Sequence, residues 1–148
     1  MQDDGLSLPH SLLAFLRSSS YCKVGVNIIA NLKRLHRDLI SSSHLTPFAG
    51  KVKIGRMAYD RHTALQVNVG LPTLCQTILR HRIDRDPAIC LSPVWASVNL
   101  PLEFSAHAVL EVYAMWSLYA TLNFIRLLEK VSLLTAAGTP VIMRAADG

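Results

Sequence analysis

Three sets of residues in this chain have the types and spacing to do chemistry. The first is "LHRDLISSSH" at 35–44, where Asp38 follows a histidine and an arginine and precedes a run of serines. The second is His107 and Glu111, four residues apart inside a long apolar stretch. On a helix such residues are neighbours. Buried, they would make either an acid–base dyad with perturbed titration or a mutually satisfied polar pair. The third set is the six histidines (10, 36, 44, 62, 81, 107) with Cys22, Cys75 and Cys90. They are dispersed, no C-x-x-C or H-E-x-x-H occurs, and Cys75 and His81 stand at a poor ligand spacing. Spacing alone therefore predicts no metal and no cofactor.

His36, Arg37, Asp38 and Leu39 resemble the catalytic loop of protein kinases, and "VKIGRMAYD" (52–60) resembles the run that leads into the kinase metal-binding triplet. The resemblance would make Asp38 a catalytic base. The loop's asparagine position holds Ser43, and the triplet is replaced by Arg56, Met57 and Ala58. Phosphoryl transfer needs both metal ligands. The stretch is therefore not read as an active kinase loop. It fits instead the wet side of a helix whose apolar stripe is Val24, Ile28, Leu32, Leu35 and Leu39. No G-x-S-x-G, Walker loop or dinucleotide fingerprint occurs, so the sequence leans away from an enzyme.

The elements that must hold these residues follow from periodicity and punctuation. A short helix is predicted within 6–20, then the 24–39 helix, then a turn region at 41–50. "KVKIGRMAY" (51–59) and "TALQVNVG" (63–70) alternate with period two and predict an antiparallel β-hairpin joined at 60–62. A helix is predicted over 71–83, with Leu71, Leu74 and Ile78 facing inward. Pro87, Pro93 and Pro101 make 84–101 extended or irregular, with a short edge strand at 95–100. A last short strand is expected at 141–143. The dominant element is a helix over 103–134, free of Pro and Gly and apolar almost all round. Glu111 and Arg126 bracket a 14-residue uncharged stretch inside it, shorter than the roughly 17–25 residues of a membrane span. The helix reads as a core or interface element before a membrane-embedded one. Tyr113, Trp116 and Tyr119 form an aromatic stripe on it, suited to packing or to a ligand pocket.

The 148 residues predict one α+β domain, mainly helical, with a long C-terminal apolar helix beside one antiparallel β-hairpin, and with flexible ends at 1–6 and 144–148. Charged residues make up 17% of the chain, below the roughly 25% usual for soluble domains, so disorder over most of its length is excluded. An odd cysteine count without paired spacing points to an intracellular, reducing compartment, and the acidic start carries no signal or transit peptide. The leading expectation is a non-enzymatic partner-binding or assembly protein, oligomeric through Val112, Trp116, Tyr119 and Leu122, with itself or another protein as partner. The net charge of +5 supports a first alternative, a basic nucleic-acid-binding protein using Lys33, Arg34, Arg37, Arg80 and Arg82. A membrane-associated subunit is the second. No small-molecule substrate is identified.

Overall fold

A computed structural model of the protein describes residues 9–39 and 48–136. The elements run α1 (His10–Arg17), β1 (Lys23–Gly25), α2 (Ile28–Leu39), β2 (Lys51–Lys53), α3 (Ile54–Asp60), α4 (Leu71–Leu74), α5 (Pro87–Cys90) and α6 (Leu102–Ala136). A π turn, Cys75–Leu79, continues α4, and a 3-10 turn, Pro93–Ala96, follows α5. The class is α+β and mostly helical.

The core is built on one stripe of α6. Ala114, Leu118 and Leu122 recur every four residues and meet Ile54 and Ala58 of α3 and Leu71, Leu74 and Cys75 of the α4 turn. Leu118 and Leu122 are fully buried, and burial of each such side chain contributes about 1.5–3 kcal/mol. A second cluster joins Leu16 of α1, Leu32 of α2 and Phe48, with Leu13, Ile28 and Leu35 against it. The stripe read from 28, 32 and 35 thus does fold α2 onto the domain.

The other sides of α6 are bare. Val109, Val112, Tyr113, Trp116, Phe124, Leu127, Leu128 and Leu133 are all exposed. Leu102–Leu133 is long and apolar enough to cross a membrane by length and composition, and little of its most apolar stretch is buried.

The predicted antiparallel hairpin is not formed. Only Lys51–Lys53 is a strand at that place, and it pairs in parallel with Lys23–Gly25: Lys23 opposite Lys51, Val24 opposite Val52, Gly25 opposite Lys53. Val24 therefore belongs to β1, and the second helix starts at Ile28. After Lys53 the chain turns helical because Ile54 and Ala58, four apart, go to the core together. Gly55 is what lets α3 lie there: a Cβ on it would come within 2.3 Å of the Val67 carbonyl oxygen. Residues 61–70 carry no strand. Gly50, at φ +67°, brings the chain into β2 against the Tyr21 carbonyl, where any side chain would clash.

Other expectations shift in detail. The helix expected over 71–83 stops at Arg80, whose left-handed backbone (φ 58°) ends the π turn. The edge strand expected at 95–100 is replaced by the 3-10 turn and bends. His36 to Leu39 lie in α2, so the segment resembling a kinase loop is helical backbone. The strand expected at 141–143 and the turn at 41–47 lie outside the described residues.

Candidate functional site

The inner stripe of α6 continues toward its N-terminus as Phe104, His107 and Glu111, and there its partners change. Instead of apolar helices it meets the Pro-rich segment 85–97. That segment is shaped locally. Asp86 caps α5, its Oδ1 accepting from the Ala88 N–H at 2.8 Å, and Pro87 opens the first turn. Ser92 caps the 3-10 turn in the same way, accepting from the Val94 N–H. Trp95 then fastens the segment to α6. Its indole Nε1 donates to the Ile89 carbonyl at 2.6 Å, and its ring stands edge-on to Phe104 with centroids 5.1 Å apart.

This fastening puts Cys90 over the His107–Glu111 pair. Cys90 Sγ lies 3.5 Å from His107 Nε2, and the same Nε2 lies 3.6 Å from Glu111 Oε1. The three donor atoms are all within 4.8 Å of one another. The His107 side chain is 9% exposed and that of Glu111 29%. Arg85 reaches in from the segment's start, its Nε 2.7 Å from Glu111 Oε1. Despite that closeness the guanidinium N–H is not aimed at the oxygen, and Oε1 is buried without a hydrogen bond among the described residues. The charge is neutralised while the lone pairs are left unmet. A buried acceptor in that state costs about 1–3 kcal/mol or more.

The cluster borders a cleft of about 430 Å³, walled by Val24 to Ile28, Asn31, Gly70, Leu71, Arg85, Glu111, Val112 and Met115. The cleft therefore opens at the carboxyl end of β1 and the first turn of α2. Beyond Val112 lies a shallow, almost wholly apolar hollow lined by Ala108, Val109, Val112, Tyr113 and Trp116. Tyr113 and Trp116 are 65% and 64% exposed, with their rings 6.4 Å apart and tilted 33°. An amide-lined cleft that holds the Arg85–Glu111 ion pair thus runs into an aromatic shelf.

The residues singled out from sequence are divided by the fold. His107 and Glu111 do meet, at the place the helical spacing requires. Lys33 borders a small separate pocket with Leu32, His36, Phe48 and Lys51. Arg34 and Arg37 are exposed on α2, and Arg80 and Arg82 are exposed between α4 and α5, with Arg82 hydrogen-bonded to Asp84. None of these five lines the cleft; its cation is Arg85. The interface set is split too. Val112 and Trp116 are exposed, Tyr119 packs against the core, and Leu122 is fully buried within it. Sequence reasoning missed Cys90 and Arg85, for which no local pattern gives a signal, since only the return path of 85–97 brings them to α6.

Neither a protein-family model nor a curated protein matches the chain. Solved structures similar to it are exonuclease domains of EXD2. One soaked in Mn is 20% identical, with 97% of this chain and 67% of that chain covered and a TM-score of 0.34. One soaked in Mn and GMP is 19% identical, with 97% and 69% covered and a TM-score of 0.35. The same domain without a soak is 20% identical, with 89% and 64% covered and a TM-score of 0.34. The chain thus spans about two thirds of the length of those domains. At these scores the likeness does not carry their activity over. The leading expectation is corrected by the structure itself: the four residues expected to form one oligomer face do not share a surface, since Leu122 is fully buried and Tyr119 packs against the core. The non-enzymatic assembly reading is withdrawn.

Proposed function

We propose that this chain binds single-stranded nucleic acid along the cleft and shelf of α6. The observation that supports this best is their continuity: Arg85, Asn27 and Asn31 line one end, Val112 joins the two, and the exposed Tyr113 and Trp116 rings form the other. Binding of single strands without sequence preference combines cationic contacts to phosphate with aromatic faces on which bases stack. A duplex keeps its bases inside and gains little from an aromatic shelf. In open sheets with helical crossovers, ligands enter at the carboxyl ends of strands, and the cleft opens at that end of β1. The net charge of +5 adds long-range attraction for a polyanion.

In this reading the half-exposed Arg85 exchanges its Glu111 partner for a phosphate, while the side-chain amides of Asn27 and Asn31 donate to its oxygens. The test is fluorescence anisotropy of a short labelled single strand against the matching duplex over a range of salt. Single-strand affinity should fall as salt rises, with a log–log slope of about −0.7 for each phosphate neutralised. Arg85→Ala should flatten that slope by about one such step. Tyr113→Ala and Trp116→Ala should each weaken binding by about 1–3 kcal/mol with little change in melting. Equal affinity for duplex and single strand, or binding indifferent to salt and to all three substitutions, would overturn the reading.

A further inference from the structure

We propose that Cys90, His107 and Glu111 form a three-ligand site for a zinc ion whose fourth coordination position opens toward the cleft. This stands apart from the nucleic-acid reading and needs only the chain itself.

The distances fit. Tetrahedral zinc with Zn–S near 2.3 Å and Zn–N and Zn–O near 2.1 Å sets neighbouring donor atoms about 3.4–3.6 Å apart. The S–N and N–O separations here are 3.5 and 3.6 Å. The third edge, from Cys90 to Glu111, lies within the 4.8 Å that encloses all three donors. His107 Nε2 faces both the thiol and the carboxylate, an arrangement in which one imidazole hydrogen cannot satisfy both neighbours. A cation at their centre can.

The donor chemistry selects the metal. Thiolate, imidazole and carboxylate together suit a borderline-soft ion, whereas magnesium and calcium take oxygen ligands. The supports are rigid: His107 and Glu111 sit a turn apart on the longest helix, and Cys90 is held by the Trp95 bond to Ile89. The unmet Glu111 Oε1 supplies the lone pair. Three protein ligands leave a fourth position, as in zinc sites that work on a bound water or substrate rather than in closed structural ones. Glu111 lines the cleft, so that position faces it. On binding, the Cys90 thiol proton passes to solvent, and affinity rises with pH. Arg85 competes with the metal for Glu111. Its side chain is 44% exposed, so it can swing outward as the ion enters.

Cobalt(II) is the probe, because a thiolate ligand gives it a near-ultraviolet charge-transfer band and four-coordination gives strong visible bands. The reduced 148-residue chain is titrated with cobalt and then with zinc. Expected are both band sets at one cobalt per chain and their loss on adding one zinc. Cys90→Ser should abolish the charge-transfer band, and His107→Gln and Glu111→Gln should each weaken cobalt at least tenfold. Cys22→Ser should change nothing, and Arg85→Gln should tighten binding several-fold. Circular dichroism without metal checks that each variant folds. If Cys90→Ser does not, the near-isosteric Glu111→Gln decides alone. Absence of a charge-transfer band in the unmodified chain, its survival in Cys90→Ser, or unchanged affinity in Glu111→Gln would each overturn the proposal.

Discussion

The two ends of α6's inner stripe obey one periodicity and meet opposite fates. From Ala114 to Leu122 the stripe is sealed by α3 and the α4 turn, and its neighbours there are aliphatic side chains and the Cys75 thiol. From Phe104 to Glu111 the same spacing delivers an imidazole and a carboxylate under a segment that brings a thiol and a guanidinium. The first end lowers free energy by excluding water. The second leaves an acceptor oxygen buried without a hydrogen bond. A helix that only needed anchoring would have leucine at 107 and 111. The lesson is that period locates a residue on a face, while the chemistry of the covering segment decides what the face is for.

That contrast can be broken by mutation. Leu118→Ala, at the sealed end, should destabilise the fold by about 2–5 kcal/mol, the usual cost of a core cavity; chemical denaturation reads it directly. A loss below about 1 kcal/mol would mean that this end is not the core. Gly55→Ala should cost less, about 1–3 kcal/mol, because a methyl meets the Val67 carbonyl and α3 must retreat from the 61–70 segment. Its melting curve compared with that of Leu118→Ala tests whether α3 tolerates that retreat. Glu111→Leu, at the other end, should stay within about 1 kcal/mol of the unmodified chain, since the lost ion pair is partly exposed and an unmet acceptor is removed. A destabilisation as large as that of Leu118→Ala would show Glu111 to be a structural residue and would erase the distinction between the two ends.

The smallest effect belongs to the thiols. All three cysteines are free, with Cys22 exposed, Cys90 half-buried and Cys75 buried. Burial pushes the Cys75 thiol above its ordinary value of 9.0. The unfolded chain then sheds this proton first, so the stabilising contribution is full below pH 9.0 and is lost as pH climbs through the folded value. Urea unfolding at mildly and strongly alkaline pH should show a fall in stability that is smaller in Cys75→Ala. Alkylation of the native chain should modify Cys22 first and Cys75 last; early modification of Cys75 would contradict its burial.

Much of α6 was legible because its evidence is local: no Pro or Gly interrupts 103–134, and the structure extends that range only to Leu102–Ala136. The Ile28, Leu32, Leu35 stripe of α2 was legible for the same reason. The hairpin was misread because "KVKI" alternates over four residues, too few to outweigh the four-residue spacing from Ile54 to Ala58 that takes effect once α6 is present. The pairing of Lys23–Gly25 with Lys51–Lys53 lies far apart in sequence, and nothing in either tripeptide names the other. The site divides along the same line. His107 and Glu111 announce themselves on one helix; Cys90 and Arg85 depend on how a proline-punctuated segment returns.

The parallel pairing of β1 and β2 has a consequence in time as well as in space. Antiparallel strands can zip from a tight turn within microseconds, but a parallel pair must first close the whole intervening loop. Here residues 26–50 separate the strands, and the entropy of bringing their ends together is spent before the first interstrand bond forms. Helix α2 lies in that loop and shortens it, since each helical residue advances about 1.5 Å against more than 3 Å when extended. The walls of the cleft at Val24 to Ile28 are therefore expected to close late in folding, since their strand pair spans a distance that no local turn bridges.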